Sequence, residues 1–334
     1  MYKKCIVSTI LVMVLASGCI SGGMTGSAVN VPQKTIRIGI QTGTANALPM
    51  IAKDKGFFDA EGVDVELTEF TAGKFAMQAF LAGDLDMAVS GDVPVTLSSL
   101  QGHEFYVLAQ VVEKTRNEVR MVALREPDLT NAGDYFHAKR RRVATSFGGG
   151  PEFYTYNFLK KYNVTDVEII NQKPEDMPAA LATGSVDAVA VFDPYAFFAE
   201  EKAQGRAVAF TDDSMYSELY ILSAKREWVK SHPDETEKII RALAKASDYA
   251  EKNPEDCKAV VMKYTKLDKT TIDAIWGNFV FKPALNQLLL KDLNAEAEWA
   301  IDTGKVKNGT KVPDFMEYIY SDALENVRPQ SVAL

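Results

Sequence analysis

The sequence predicts an α/β fold of two lobes built on one plan, followed by a helical tail that packs back on the first lobe. Three observations carry this. Strands alternate with helices of about ten residues, the pattern of parallel α/β units with right-handed crossovers. The whole cycle occurs twice. The letters also repeat: Ala79-Phe80-Leu81-Ala82-Gly83-Asp84-Leu85-Asp86 aligns with Ala180-Leu181-Ala182-Thr183-Gly184-Ser185-Val186-Asp187, and the match runs on to Asp92 against Asp193 at a constant offset of 101 residues. In each copy a helix ends at Gly, where a left-handed cap costs little, and a short strand starts at Asp.

The first cycle opens with an alternating strand at 35–40, a helix at 47–55 closed by Gly56, and a strictly alternating strand at 63–67. A helix at 73–81 and a buried strand at 86–89 complete it. The second cycle has strands at 142–145, 168–170 and 187–191, with helices at 152–161 and 175–182. Strand-like runs at 105–112 and 119–124, parted by a polar turn at 113–117, and a third at 219–222 are the places for the chain to cross between lobes. The remainder reads as helix, at 233–252, 254–264, 269–279, 291–303 and 313–320.

The start of the chain points to export. Lys3 and Lys4 precede an apolar run at 6–16 that is too short to span a bilayer. Ala16-Ser17-Gly18-Cys19 then resembles a lipobox, with Leu15 one position further back than usual. The expectation is a signal peptide over 1–18, a diacylated Cys19 and a flexible tether over 19–34, rich in Gly, Ser and Thr. No later stretch reaches the roughly 20 apolar residues of a spanning helix. The lipid is therefore the expected membrane contact, on the outer side of the cell membrane. About 300 residues remain, enough for two cores of ordinary size.

Of the three cysteines, Cys5 leaves with the signal, Cys19 carries the lipid, and Cys257 alone stays in the body, where it reads as a small core residue. Loss of Lys3 and Lys4 turns 37 basic against 45 acidic residues into 35 against 45, a net charge of −10. Such a balance favours solubility and argues against nucleic acid as a partner. The one basic run, 139–142, reads as a solvated turn before a strand. His103, His137 and His232 are the only histidines, and none has metal-ligand or triad spacing. Neither a catalytic set nor a metal or cofactor site is expected.

Ligands of open α/β sheets lie beyond the carboxyl ends of the strands. That rule selects four loops: Gln41-Thr42-Gly43-Thr44, Ser90-Gly91-Asp92-Val93, Ser146-Phe147-Gly148-Gly149-Gly150 and Phe192-Asp193-Pro194-Tyr195. The third runs from a strand into a helix with Pro151 in its first turn, so free N–H groups point into the loop. This is a ready seat for an anion without any lysine, through Ser146, Gly148 and Gly149. Glu152 beside it either faces solvent or receives an ammonium group from a zwitterion. Tyr195 is the aromatic placed to stack on an organic ligand. Asp193 has two roles open to it, ligand contact or cap of the helix that starts at Pro194.

The chain resembles the substrate-binding proteins of the nitrate, taurine and aliphatic-sulfonate ABC importers. The resemblance covers essentially all of 35–329. It is carried by Ile38-Gly39-Ile40-Gln41 with residues 49–58, by residues 78–86, by Ala190-Val191-Phe192-Asp193-Pro194-Tyr195 with Phe192 where the family has Trp, and by Tyr220-Ile221-Leu222-Ser223-Ala224. It implies a type II periplasmic-binding-protein fold: two Rossmann-like lobes joined by a hinge, lobe 1 from 35–115 and 216–334 and lobe 2 from 116–215. Gln41, Thr42, Ser90, Gly91, Ser146, Gly148 and Asp193 would then line the cleft, with Tyr220 near the hinge. Implied too are a small anionic or zwitterionic solute, an ABC permease with its ATPase, and a monomer. Two alternatives stay open: an enzyme of the same fold in pyrimidine or menaquinone biosynthesis, and a ligand-sensing receptor subunit. The loop Ser146-Phe147-Gly148-Gly149-Gly150 departs from the family's Gly-Ser-Ser type and has fewer hydroxyls.

Overall fold

Two sheets organise the chain in the computed structural model, which describes residues 35–212 and 214–334. In chain order the strands are β1 (Ile36–Gln41), β2 (Val65–Phe70), β3 (Met87–Gly91), β4 (Tyr106–Thr115), β5 (Arg120–Leu124), β6 (Arg141–Thr145), β7 (Val167–Asn171), β8 (Ala188–Val191), β9 (Ala207–Phe210), β10 (Tyr220–Ala224), β11 (Phe279–Asn286) and β12 (Val332–Ala333). The seven-stranded sheet has the order β12-β11-β4-β10-β3-β1-β2, and the five-stranded sheet β7-β6-β8-β5-β9. The expected leader, Cys19 and tether lie outside the described residues. Among the described residues no helix is long and apolar enough to cross a membrane.

The internal repeat is a repeat of structure. In one sheet β1 lies parallel to β2 and β3, and β10 runs antiparallel beside β3. In the other β6 lies parallel to β7 and β8, and β5 runs antiparallel beside β8. The helices Gly73–Ala82 and Met177–Thr183 both end on a left-handed glycine, Gly83 at φ 96° and Gly184 at φ 74°. An aspartate then opens the third strand of each unit. Asp86 accepts from the Arg37 backbone N–H at 3.0 Å and its guanidinium at 3.2 Å, and Asp187 does the same for Arg142 at 2.8 and 3.2 Å. Both arginine side chains are 42% exposed, so the ion pairs add little. Their use is to fix where the third strand starts beside the first.

The chain leaves the first sheet between Thr115 and Arg120 and returns between Phe210 and Tyr220. After the return it builds mainly on the first sheet. The helix Pro233–Lys252 buries Ile239, Ile240, Leu243, Ala246 and Ala250 at helical spacing, with Asp234 and Glu235 at its amino end and Lys252 at its carboxyl end. It packs on the helix Ala47–Asp54. The helix Gln287–Asp302 packs on the helix Asp92–Leu100, and its far end, Trp299 and Ala300, joins the core around the second sheet.

Three readings of the tail and surface are corrected. The expected helix 269–279 stops at Ile275, and Phe279 begins β11; Pro283 sits at an irregularity of the β11–β4 ladder, where its missing N–H is tolerated. The expected helix 313–320 is a short 3-10 turn, Phe315–Tyr318, followed by a helix at Asp322–Val327. The basic run at 139–142 is not all solvated. Arg141 is fully buried, lies 3.8 Å from the centre of the Tyr135 ring, and donates to Tyr135 O at 2.7 and 2.9 Å. Cys257 is buried as expected, and burial pushes its thiol up to about 11, which keeps it inert.

Candidate functional site

Carboxyl ends of strands from both sheets meet at one crevice. Gln41 ends β1, Gly91 ends β3, Ser146 follows β6 and Phe192 follows β8. With Gly73, Lys74, Gly149, Gly150 and Glu218 they line a narrow pocket that leaves about 10 Å³ for the centre of a water-sized sphere, about one water. A wider hollow of about 310 Å³ adjoins it, sharing Lys74 and Pro94 and lined by Phe75, Leu97, Phe147 and Gly148. A larger hollow of about 590 Å³ lies elsewhere, lined by Asp248, Glu251, Trp276, Lys282 and Arg328 at the opposite end of β11 from its carboxyl terminus. The crevice, where the strand ends of both sheets converge, is the better candidate.

The helix Gly150–Lys161 starts at the crevice with Gly149 as N-cap and Pro151 in its first turn. Pro151 has no N–H and Glu152 gives its own to Gly149 O at 3.0 Å, so Gly150 carries the first-turn N–H that lines the pocket. The loop before it is less open than the sequence suggests. Gly148, in the left-handed region at φ 75°, gives its N–H to Glu152 Oε2 at 2.8 Å, and Phe147 gives its own to Asn171 Oδ1 at 3.1 Å. Glu152 also pairs with Lys305, so it is neither a solvent-facing charge nor a free acceptor. Gly149 and Gly150 are left as the backbone donors of this loop.

Lys74 is the cation that the sequence reading missed. Its Nζ donates to Ser146 Oγ and to Phe147 O, both at 2.9 Å, and so joins the helix Gly73–Ala82 of the first sheet to the loop after β6 of the second. Burial lowers its pKa, against the pull of Glu152 and Glu175. The signal was present in the sequence. Lys74 follows the carboxyl end of β2, and applying the strand-end rule to that loop as well would have selected it.

The floor of the crevice is acidic. Glu218, on the return crossover, is buried with its Oε1 against two glycines: a Cβ on Gly91 would lie 2.5 Å from that atom and one on Gly150 2.7 Å. Its carboxyl is hydrogen-bonded to that of Glu118. Burial, then Glu118 and Asp92, push its pKa well above the carboxylate range. Glu118, on the outgoing crossover, accepts from Tyr220 Oη at 2.8 Å and is pushed up to about 8 by burial and by Asp193. Asp92 accepts from Tyr216 Oη, Val93 N and Leu219 N, and burial pushes it up to about 6.

Other expected residues sit around the crevice in different ways. Gln41 Oε1 accepts from Gly73 N at 2.8 Å, while its buried Nε2 has no partner. Ser90 is fully buried just behind Gly91, with its Oγ on Gly91 O at 3.2 Å. Thr42 turns to Glu69 at 3.4 Å. Tyr220 is buried in the crossover region on Glu118. Asp193 is committed within the protein: its carboxylate takes Arg120 Nη1 and Asn278 Nδ2, both at 2.8 Å, and Phe197 N at 3.2 Å. Of its two open roles, the observed contacts are those of a helix cap and an ion-pair partner. Tyr195 packs edge-on to Phe192, ring centres 5.7 Å apart, and Phe192 rather than Tyr195 reaches the pocket wall. His137 contacts Tyr162 O and His232 stacks on Trp228. Among the described residues no group of three His, Cys, Asp or Glu side chains could hold a metal ion.

Two sheets of one strand order, linked by two crossovers and meeting at a crevice of strand ends, define the periplasmic-binding-protein fold. Within that class the chain belongs to the NMT1-like family, whose model matches residues 30–264. A Bacillus subtilis protein named for aliphatic sulfonate binding is 25% identical over 299 residues, covering 87% of this chain and 86% of that protein. Among solved structures, the periplasmic aliphatic sulphonate binding protein SsuA of Escherichia coli superposes with a TM-score of 0.74 at 19% identity, over 86% of this chain and 92% of its own. The periplasmic nitrate-binding protein NrtA of Synechocystis PCC 6803 gives 0.71 at 17% identity, over 90% and 89%.

Proposed function

We propose that this chain is the extracytoplasmic solute-binding lipoprotein of an ABC importer, held to the outer face of the cell membrane through Cys19. Its task is to capture a small anionic or zwitterionic solute by closure of two lobes, 35–115 with 216–334 and 116–215, about the crossovers. It performs no chemistry and acts as a monomer that docks on a permease with its ATPase. The names of the relatives, sulfonate-binding and nitrate-binding, support the solute class.

The single observation that carries the reading is the Lys74 bridge. A half-buried ammonium spans the crevice beside the first turn of the helix Gly150–Lys161. An anion entering there exchanges two neutral acceptors for a charged one and completes the free N–H groups of Gly149 and Gly150. The two present bonds already have a charged donor; an anion adds a charged acceptor, and the attraction between the two charges grows once closure excludes water. Calorimetric titration with a panel of sulfonates, carboxylates and nitrate tests it. One-to-one binding of at least one member is expected, and no binding by any of them sinks the proposal.

A further inference from the structure

Two pairs of buried carboxyl groups lie behind the crevice, the members of each bonded to one another. Glu118 stands on the outgoing crossover and Glu218 on the return crossover, 1% and 5% exposed, and their carboxyls share a hydrogen bond. Asp92 and Glu296, both fully buried, share another. A carboxylate has no donor, so each such bond exists only while one of its two members carries a proton. The first pair is the one placed to act. It joins the two segments that link the sheets. The Glu218 carboxyl also lies between Gly91, at the end of β3, and Gly150, on the helix after β6: a Cβ on these would come within 2.5 and 2.7 Å of its Oε1. Glu118 meets Asp193, Arg120 and the Tyr220 hydroxyl, and Glu218 meets Asp92, Tyr216 and Tyr220. Among the described residues, the titratable groups that face the pair are thus acidic or phenolic, save Arg120. That guanidinium is already divided among Asp193, Glu200 and Asn117 O. Lys74, on the crevice side, answers to Glu152 and Glu175. Stripped of its proton, the pair becomes two like charges in contact, out of water and beside a cation spent elsewhere.

We propose that the Glu118–Glu218 pair is a proton-operated latch on the hinge: with its proton it holds the crossovers together and the lobes closed, and without it the crossovers part and the lobes open. This rests on the reading of the crossovers as a hinge and adds what sets its position. Parting the crossovers lets water reach the two charges, which relieves both their repulsion and their desolvation. An anion between Lys74 and Gly150 makes the proton harder to remove. Solute and proton therefore favour each other's binding, and the coupling is reciprocal. Burial, with Asp193, pushes Glu118 up to about 8. Below that value the proton stays and the lobes hold; as pH rises through it the proton leaves and they part.

Spin labels on the solute-free, full-length chain at exposed Thr71→Cys and Lys173→Cys, just beyond the ends of β2 and β7, read the gap directly. The distance between them is expected to grow between pH 6.5 and pH 9. It should stay constant in Glu118→Gln, whose amide donates to Glu218 without a titrating proton and still accepts from Tyr220. Glu218→Gln, the mirror variant, should behave alike. Affinity of the parent for ethanesulfonate or nitrate should fall about tenfold over the same range, the linkage of one proton, and less than about threefold in Glu118→Gln. A distance that ignores pH, or that changes as much in both variants, overturns the latch and leaves the anion-binding reading standing. An affinity loss of equal size in Glu118→Gln assigns the loss to Lys74 and overturns the coupling. If the variants abolish the movement but no anion binds, the latch holds and the solute reading falls.

Discussion

Asp92 and Asp193, one internal repeat apart, each hold one of the two crossovers between the sheets. Asp92 follows β3 and takes Leu219 N–H at 2.9 Å on the return crossover. Asp193 follows β8, and its N–H meets Glu118 O at 3.1 Å on the outgoing crossover while its carboxylate holds Arg120. The same position of the repeat has therefore been used twice to tie a strand end to a connecting segment. The partners differ. Asp193 has a guanidinium, whereas Asp92 has hydroxyl and amide donors and a neighbouring acid, Glu296, which accepts from Thr96 Oγ1 at 2.6 Å.

Removing the guanidinium leaves Asp193 as a buried charge held by amide donors alone. Arg120→Ala is expected to cost about 3–5 kcal/mol, the usual penalty for breaking a buried pair from one side. Asp193→Asn should cost less, because its amide oxygen still accepts from Phe197 N–H and no lone charge is created. Urea midpoints at constant m-value read both, and equal costs would count against the uncompensated-charge account.

The two glycines at the start of the helix Gly150–Lys161 should respond differently to alanine. A Cβ on Gly150 would lie 2.6 Å from Tyr216 Oη and 2.7 Å from Glu218 Cδ, while one on Gly149 would meet nothing closer than 3.7 Å. Gly150→Ala is expected to cost about 1–3 kcal/mol through overpacking. Gly149→Ala, at an extended N-cap, should cost under about 1 kcal/mol. Thermal melts of the two variants side by side decide it; the reverse order would mean that Glu218 can swing away freely.

Much of the architecture was legible because local rules and the fold agree. The repeat around Gly83 and Gly184, the strand-ending loops and the helix 233–252 all follow from periodicity and capping. The failures share a cause. β11 carries Pro283 within a strand, and the register irregularity that tolerates it is a tertiary fact. Arg141 looks solvated in a run of four basic residues and is buried because Tyr135 offers a ring and a carbonyl. Of the residues expected at the site, Gln41, Gly91, Ser146 and Gly149 line one pocket. Glu218 was invisible, since nothing local distinguishes an acid on a connecting segment from a surface acid until Gly91 and Gly150 close around it.

Lys74 should matter to ligand more than to folding. Its ammonium bridges two segments that are each well packed without it. Lys74→Met is expected to weaken binding of any anionic solute about ten- to hundredfold, the value of one or two charged hydrogen bonds, with a melting temperature near that of the parent. Lys307→Met, at an exposed position, should leave affinity unchanged. If Lys74→Met binds as tightly as the parent, the anion pole lies elsewhere.

The buried acids set the pH dependence of stability. Glu118 is pushed up to about 8 and Asp292 to about 7 in the folded protein, both chiefly by burial. Between their ordinary values near 4 and these raised ones, the folded state holds protons that the unfolded state has released, so stability falls as pH rises. The slope is at most about 1.4 kcal/mol per pH unit for each group. Glu126 and Asp212, both held near 2 by basic partners, act the opposite way and lose their contribution below about pH 4. A maximum between about pH 4 and 5 follows, with a decline toward pH 8. Glu118 faces Glu218, Asp193, Arg120 and Tyr220; burial and Asp193 disfavour its charged form and outweigh the hydrogen bonds to Tyr220 and Glu218 and the pull of Arg120. Glu118→Gln keeps an oxygen for Tyr220 Oη and removes the titration. Its urea midpoint should change less between pH 5 and 8 than that of the parent protein, and parallel curves for the two would show that Glu118 does not carry the effect.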